Sequence, residues 1–339
     1  MSRLLWSFEA GAMLGSSPAL GPDGSVFVGS RAGRLHAVDA AGAERWRFEA
    51  GGAMEAGPCV HPAGLVLAGS YDGQLYAIDL DGALAWKHDA GHPVMTTPCV
   101  DAEGTIWVGD DGGTLWQLSA QGEVLSRRVV ADLIATSPVV AGGTVLVADG
   151  DLLGADGSVV ALGVDTVVAP AAVGADGTVY LGSWSGELLA VRDGAVVWRH
   201  AVGAQVYAGC SVAADGRVLV TTRRGHVVAV SAQGERLWSR VLPNGVYGTP
   251  AIARDGLCFV GCNDSRLRAL SLATGEIVWK ERCGRDLRSS PLLTPEGRVI
   301  VSCWDYELYC FEGGAGGPAE GAPWAQFHGG PARLGRRSP

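Results

Sequence analysis

The chain has 339 residues, 47% of them hydrophobic and 18% charged, with 51 glycines and a formal net charge of −9. An acidic chain of this kind lacks the basic field of a general nucleic-acid binder. No run reaches the roughly 18 uninterrupted apolar residues of a membrane helix, so neither nucleic acid nor membrane is expected as a partner.

The first element is the strand Leu4-Leu5-Trp6-Ser7-Phe8, which matches Glu44-Arg45-Trp46-Arg47-Phe48 in register. Between them lies a complete unit: an apolar run after Pro18, an Asp23-Gly24 turn, the run Ser25-Val26-Phe27-Val28-Gly29, a polar turn, and Leu35-His36-Ala37-Val38-Asp39. Short β-branched and aromatic runs parted by Gly and Asp turns are hairpin strands. The same unit recurs down the chain, as the hairpin glycines Gly24, Gly64, Gly104, Gly143, Gly177, Gly216, Gly256 and Gly297 show. A self-similar period near 40 residues means one supersecondary unit copied along an array or around a ring. Four strands per unit and eight units predict an all-β, eight-bladed propeller.

A second ruler runs through the same units. Trp6, Trp46, Trp86, Trp198, Trp238 and Trp279 each stand twelve residues ahead of Pro18, Pro58, Pro98, Cys210, Pro250 and Pro291. A large flat ring repeated at one place in the outer strand is a packing residue between blades. Blades 3 and 4 carry Ser126 and Ser158 in that place, and blade 4 is short, missing most of one hairpin between Ala148 and Val159. The ring is expected to be weakest there.

The eighth unit has strands near 291–293, 298–303 and 307–311 and then runs into Gly313-Gly314-Ala315-Gly316-Gly317 without a fourth strand. The N-terminal strand is the missing one, so it is expected to complete the last blade and close the ring, which removes the open sheet edge. This divides the chain into a propeller over 1–312 and a Gly/Pro-rich linker and tail over 313–339. In the tail, Trp324 and Phe327 are expected to dock on the ring, while Arg333, Arg336 and Arg337 read as solvated charge.

The repeat also marks out a candidate binding face. Propellers meet ligands through the loops that enter each blade and those joining its second and third strands. Seven residues after the hairpin Gly stand Arg31, Tyr71, Asp111, Gly150, Trp184, Arg223, Asn263 and Trp304; three before the Pro slot stand Gly15, Glu55, Met95, Ala135, Val167, Tyr207, Tyr247 and Arg288. These positions vary while the framework repeats. Rigid aromatics with arginine are common anchors of interfaces and ligand walls. The candidate site residues are therefore Glu55, Tyr71, Trp184, Tyr207, Arg223, Tyr247, Asn263, Arg288, Trp304 and Asp305. Their partner is expected to be a protein or small molecule at the channel mouth, bound by a monomer.

The eight cysteines show no CxxC pair and the seven histidines are scattered, so reduced structural thiols and no metal site are expected. The segment Met1-Ser2-Arg3-Leu4-Leu5-Trp6 has neither a long apolar stretch nor a lipoprotein cysteine, which predicts a cytoplasmic location.

The segment Ala269-Leu270-Ser271-Leu272-Ala273-Thr274-Gly275-Glu276-Ile277-Val278-Trp279-Lys280, with weaker copies ending at Trp86 and Trp238, resembles the repeat of the pyrroloquinoline-quinone-like (quinoprotein-type or BamB-like) β-propellers. The resemblance covers residues 4–312 and implies the same eight-bladed fold. The family includes quinone-dependent alcohol and sugar dehydrogenases, non-enzymatic assembly lipoproteins, and propellers joined to kinases and other enzymes. It thus implies two functions: a non-catalytic binding scaffold, or an enzyme with its site at the channel mouth, such as a dehydrogenase using pyrroloquinoline quinone (PQQ) and Ca²⁺. For the second, Glu55, Asn263 and Asp305 have oxygen-ligand chemistry, and Trp184 or Trp304 could stack on a flat cofactor. The chain departs from the catalytic members in being shorter, in lacking their vicinal cysteine pair and in showing no export signal. The binding scaffold is the expected function, with no cofactor and no catalytic residue.

Overall fold

Eight antiparallel sheets of four strands follow one another in the computed structural model, which describes residues 3–314 and 316–336, without the side chains of 147–149. Blade 1 consists of Ala19–Leu20, Val26–Gly29, Arg34–Val38 and Glu44–Glu49, running from the channel outward. Blades 2 to 7 repeat that order. Blade 8 takes Leu292–Leu293, Arg298–Ser302 and Glu307–Glu312 from one end of the chain and Leu4–Glu9 from the other. The pairing runs from Leu4 opposite Phe311 to Glu9 opposite Glu307, with a bulge between Leu4 and Trp6. This is the expected closure.

Burial follows position in the blade. The two middle strands are covered on both faces by neighbouring blades and are buried almost throughout, as in Val26–Gly29. Outer strands such as Glu44–Glu49 alternate exposed and half-buried residues, because one face meets water, while Val124–Val129 of blade 3 is exposed throughout. The half-buried set holds the tryptophans. Trp46 donates its indole N–H to Leu80 O at 2.9 Å and lies flat on Gly82. A Cβ there would stand 2.8 Å from the ring, and the backbone has φ +94°, so both contact and conformation call for glycine. Trp6, Trp86, Trp198 and Trp238 dock in the same way on Ala40, Ala120, Ala232 and Leu272. Trp279 meets the seam instead: its N–H finds no acceptor, and the Arg3 guanidinium covers its ring at 5.0 Å.

Blade 4 corrects one expectation. It keeps all four strands, Val139–Ala141, Thr144–Asp149, Asp151–Gly154 and Val159–Val160; the deletion is absorbed by a one-residue turn at Gly150 and a two-residue outer strand. No tryptophan fills the join between blades 3 and 4. A groove of about 370 Å³ lies there, bordered by Trp107, Ser126 and Ala155, and Arg128 takes the vacant place by bonding Ala155 O.

The tail is the second correction. Trp324 is 1% exposed, and Arg333 is 0% exposed rather than solvated. Residues 324–335 run around one end of the channel and accept the backbone N–H two residues beyond the Pro slot in blade after blade. Val212 bonds Trp324 O, Ile252 Ala325 O, Leu20 Pro331 O, Val60 Ala332 O, Val100 Leu334 O and Val140 Gly335 O, all at 2.7–2.9 Å. The Gln326 amide serves Leu293 at both its N–H and its carbonyl. Arg333 sits at the axis and donates to the carbonyls of Pro18 at 2.9 Å, Phe327 at 2.6 Å and Pro291 at 3.4 Å. Burial lowers its pKa to about 9, so it stays charged at neutral pH. His328 lies between Arg333 O and Pro138 O, 2.8 and 2.9 Å away. Arg336 bonds Asp101 O, and Arg337 lies outside the described residues.

All eight cysteines are free and buried. Burial pushes their thiols up, to about 12 for Cys210 and Cys258, which makes them packing residues rather than nucleophiles.

Three outcomes follow from these contacts. Deleting residues 1–10 leaves an open edge on blade 8 and should lower Tm and cause self-association on gel filtration; an unchanged Tm would refute the closure. Arg333→Met strands three carbonyls and should cost about 2 to 4 kcal/mol in urea unfolding. His328 is pulled down to about 4, first by burial and then by the Arg333 charge, against its two carbonyl bonds. A folded pKa below the unfolded value near 6.5 means stability is full above pH 6.5 and is lost as pH falls towards 4. The buried His36 and the half-buried His88, both lowered by desolvation, add to the same slope. Tm should therefore drop across that window, and His328→Gln should flatten the drop.

Candidate functional site

Two loop series meet at the end of the channel opposite the tail. Backbone bonds force the meeting: Arg31 N–H donates to Met13 O, Tyr71 to Ala53 O, Trp184 to Thr166 O, Arg223 to Gln205 O and Trp304 to Asp286 O, at 2.9–3.1 Å. Hydroxyls pin the loops that enter the blades. Ser16 Oγ takes the Gly29 N–H, Thr96 Oγ1 that of Gly109 and Ser289 Oγ that of Ser302.

The loops surround a pocket of about 470 Å³. Seven of the ten candidate residues line it: Glu55, Trp184, Tyr207, Arg223, Tyr247, Arg288 and Trp304. Their side chains form a belt that alternates ring and cation. Trp184 meets Tyr207 edge to face at 6.5 Å, and Tyr207 meets Tyr247 at 5.5 Å. The Arg223 guanidinium lies 4.9 Å from Trp184 and 5.6 Å from Tyr247, and Arg288 lies 4.8 Å from Tyr247 and 3.8 Å from Trp304. Arg31 covers the Trp304 ring at 5.2 Å and pairs with Glu55. Each such contact holds a flexible arginine in place through the ring quadrupole. Tyr71 joins the belt through its hydroxyl, which donates to Glu55 Oε2 at 2.9 Å; burial and that carboxylate push its pKa up to about 12.

Two candidates stand apart. Asp305 shapes its own hairpin, accepting the Glu307 N–H and, at 2.7 Å, the Tyr309 hydroxyl. Asn263 ties the strand turn to the loop through its backbone, donating to Gly245 O and accepting from Asn244 Nδ2. Three features of the pocket go beyond the ten candidates. Arg31 belongs to the variable series and could have been read from it. The ring of hydroxyls just inside the mouth, Ser17, Thr97, Ser137, Thr249 and Ser290, occupies the position before the Pro slot. Phe327 of the tail lines the pocket, stacks on His328 at 5.5 Å and lies 5.3 Å from the Arg333 guanidinium.

A calcium and quinone site does not fit these residues. Glu55 is engaged by Arg31 and Tyr71, Asp305 by Tyr309, and neither Asn263 nor Asp305 lines the pocket. Among the described residues, no group of three His, Cys, Asp or Glu side chains could hold a metal.

The family described as outer membrane protein assembly factor BamB, of PQQ-type repeats, matches residues 2–98, 81–192 and 184–314. The chain belongs to this BamB-like propeller family. Similar segments occur in BamB of Burkholderia pseudomallei, 30% identical over 116 residues, which are 33% of this chain and 29% of that protein. Another lies in the serine/threonine-protein kinase AfsK of Streptomyces coelicolor, 39% identical over 101 residues, 28% of this chain and 12% of the kinase. The matched segments thus span less than a third of those relatives. The solved BamB of Moraxella catarrhalis superposes with a TM-score of 0.75 at 17% identity, over 92% of this chain and all of that one. Sqt1 of Saccharomyces cerevisiae reaches 0.82 at 13% identity, over 93% and 100%. At such identities the superpositions show the BamB-like fold alone, and the pocket has to be read from its own residues.

Proposed function

We propose that this propeller is a non-catalytic binding module that takes its ligand, or a segment of a partner, at the mouth of the central channel. The observation that carries the reading is the convergence of Trp184, Tyr207, Tyr247, Trp304 and three arginines on one pocket of about 470 Å³. That volume lies within the usual range of about 300–1,000 Å³ for small-ligand sites. The belt is held before any ligand arrives, so little side-chain freedom is lost on binding.

The lining also argues against chemistry. It contains no His, Cys, Lys or Asp, and its one carboxylate, Glu55, is already paired. A base within reach of a nucleophile, the minimum for most acid–base or covalent catalysis, is missing from this set. Relatives named as an assembly factor and as a kinase are in keeping with a binding unit used in different protein settings.

The test compares the wild type with a double variant, Tyr247→Ala with Trp304→Ala, both isolated gently from the native host and measured by native and denaturing mass spectrometry. The wild type should carry an added mass, small molecule or polypeptide, that the variant loses while its Tm stays within a few degrees. Equal retention by both proteins would overturn the reading.

A further inference from the structure

The charge of the pocket is opposite to that of the protein. Its lining holds three arginines and one carboxylate, in a chain of formal net charge −9. Glu55 answers Arg31 and Asp286 faces Arg288, so Arg223 is the lining cation left without a carboxylate among the described residues. Its Nε reaches only the Tyr247 hydroxyl at 3.3 Å. Arg288 lies 3.7 Å from Asp286, and its Nε is buried without a hydrogen-bond partner. Both guanidinium groups flank the Tyr247 ring.

The hydroxyls below them have the same bias. Thr249 is 1% exposed and lines the pocket, yet its Oγ1 is buried with no partner. Ser290 Oγ accepts the Thr249 N–H at 3.0 Å, Ser17 Oγ the Ser290 N–H at 2.9 Å, and Ser137 Oγ the Thr97 N–H at 2.9 Å. Each of these oxygens already accepts a bond from the protein, which leaves its own O–H proton to give. A hydroxyl buried without a partner costs stability unless something in the pocket meets it. The unused polar capacity is thus guanidinium N–H groups, which only donate, and hydroxyls whose free protons can turn to the same volume.

Guanidinium groups, which can only donate, with free hydroxyl protons beside them fit an oxyanion. Resting on the binding reading above, we propose that the pocket selects small molecules bearing a carboxylate or phosphate, with the anionic group between Arg223, Arg288 and Thr249 and the apolar body against Trp184 and Tyr207. The closed floor at Phe327 and the small volume favour a free small molecule; the C-terminal carboxylate of a peptide offers the same chemistry from another source.

The probes are indole-3-acetate and phenyl phosphate, the neutral indole-3-acetamide, and a short peptide with a free or amidated C-terminus. Each is titrated by calorimetry in low and high salt, at up to millimolar concentration. The acids should bind, the neutral amide should not, and salt should weaken the binding. Arg288→Gln and Arg223→Gln should each cost about 10- to 100-fold in affinity with Tm held, the range expected for one charge-assisted bond. Equal binding of indole-3-acetate and its amide, both lost in Trp304→Ala, would overturn the anion inference and leave the pocket reading standing. Failure of every oxyanion to bind would also overturn it. Binding of the free-carboxylate peptide alone would keep the anion chemistry and refute the small-molecule source.

Discussion

A propeller has to satisfy the edge that its innermost strands turn towards the axis. Each of these strands is two or three residues long and pairs on one side only, so eight sets of backbone donors and acceptors face a common channel. Here the chain's own tail answers them. Its carbonyls and the Gln326 amide take the N–H groups of seven blades, and Arg333 with His328 meets the carbonyls that crowd the axis. Converging carbonyl dipoles make a negative region, and a buried guanidinium with several donors suits it without a carboxylate partner. The pocket depends on this plug, because Phe327 lies between Arg333 and the mouth.

The ring is regular where blades touch and irregular where loops face the channel. Indole on glycine, with one bond to a carbonyl, recurs at five joins. The belt is interrupted: it runs through blades 5 to 8 and on to blades 1 and 2, and at blades 3 and 4 Met95 and Ala135 line the mouth instead. The gap carries neither ring nor charge, and the rings and arginines of the other six blades give the pocket its walls. One pocket therefore comes from a fold with eight nearly equal parts.

Most of the framework was legible because it is written repeatedly. The Trp and Pro spacing, the hairpin glycines and the register of Leu4 to Phe8 with Glu44 to Phe48 gave blade number and closure. The two loop series were legible too, since a fixed backbone bond brings their positions together. What repetition could not convey was a contact made once. Arg333 reads as tail charge until the fold brings the carbonyls of Pro18, Pro291 and Phe327 around it. Asp305 was misread although a signal existed: it stands four residues before Tyr309, as Asp72 stands before Tyr76, and both aspartates accept the tyrosine hydroxyl. The shortened fourth blade looked like a lost hairpin because a turn tightened to Gly150 cannot be told from a missing strand by counting.

The seam in blade 8 has a consequence for how the molecule is made. The strand Leu4–Glu9 leaves the ribosome well ahead of its partner, Glu307–Glu312, which follows roughly 300 residues later. At about 5–20 residues per second the first strand waits on the order of 15 to 60 s, with Trp6 and Phe8 not yet packed. During that interval seven blades can form in order while the first strand has no sheet to join. Ring closure is therefore a late event in the life of each nascent chain, and the strand that performs it stays open to chaperones, or to a neighbouring chain, in the meantime.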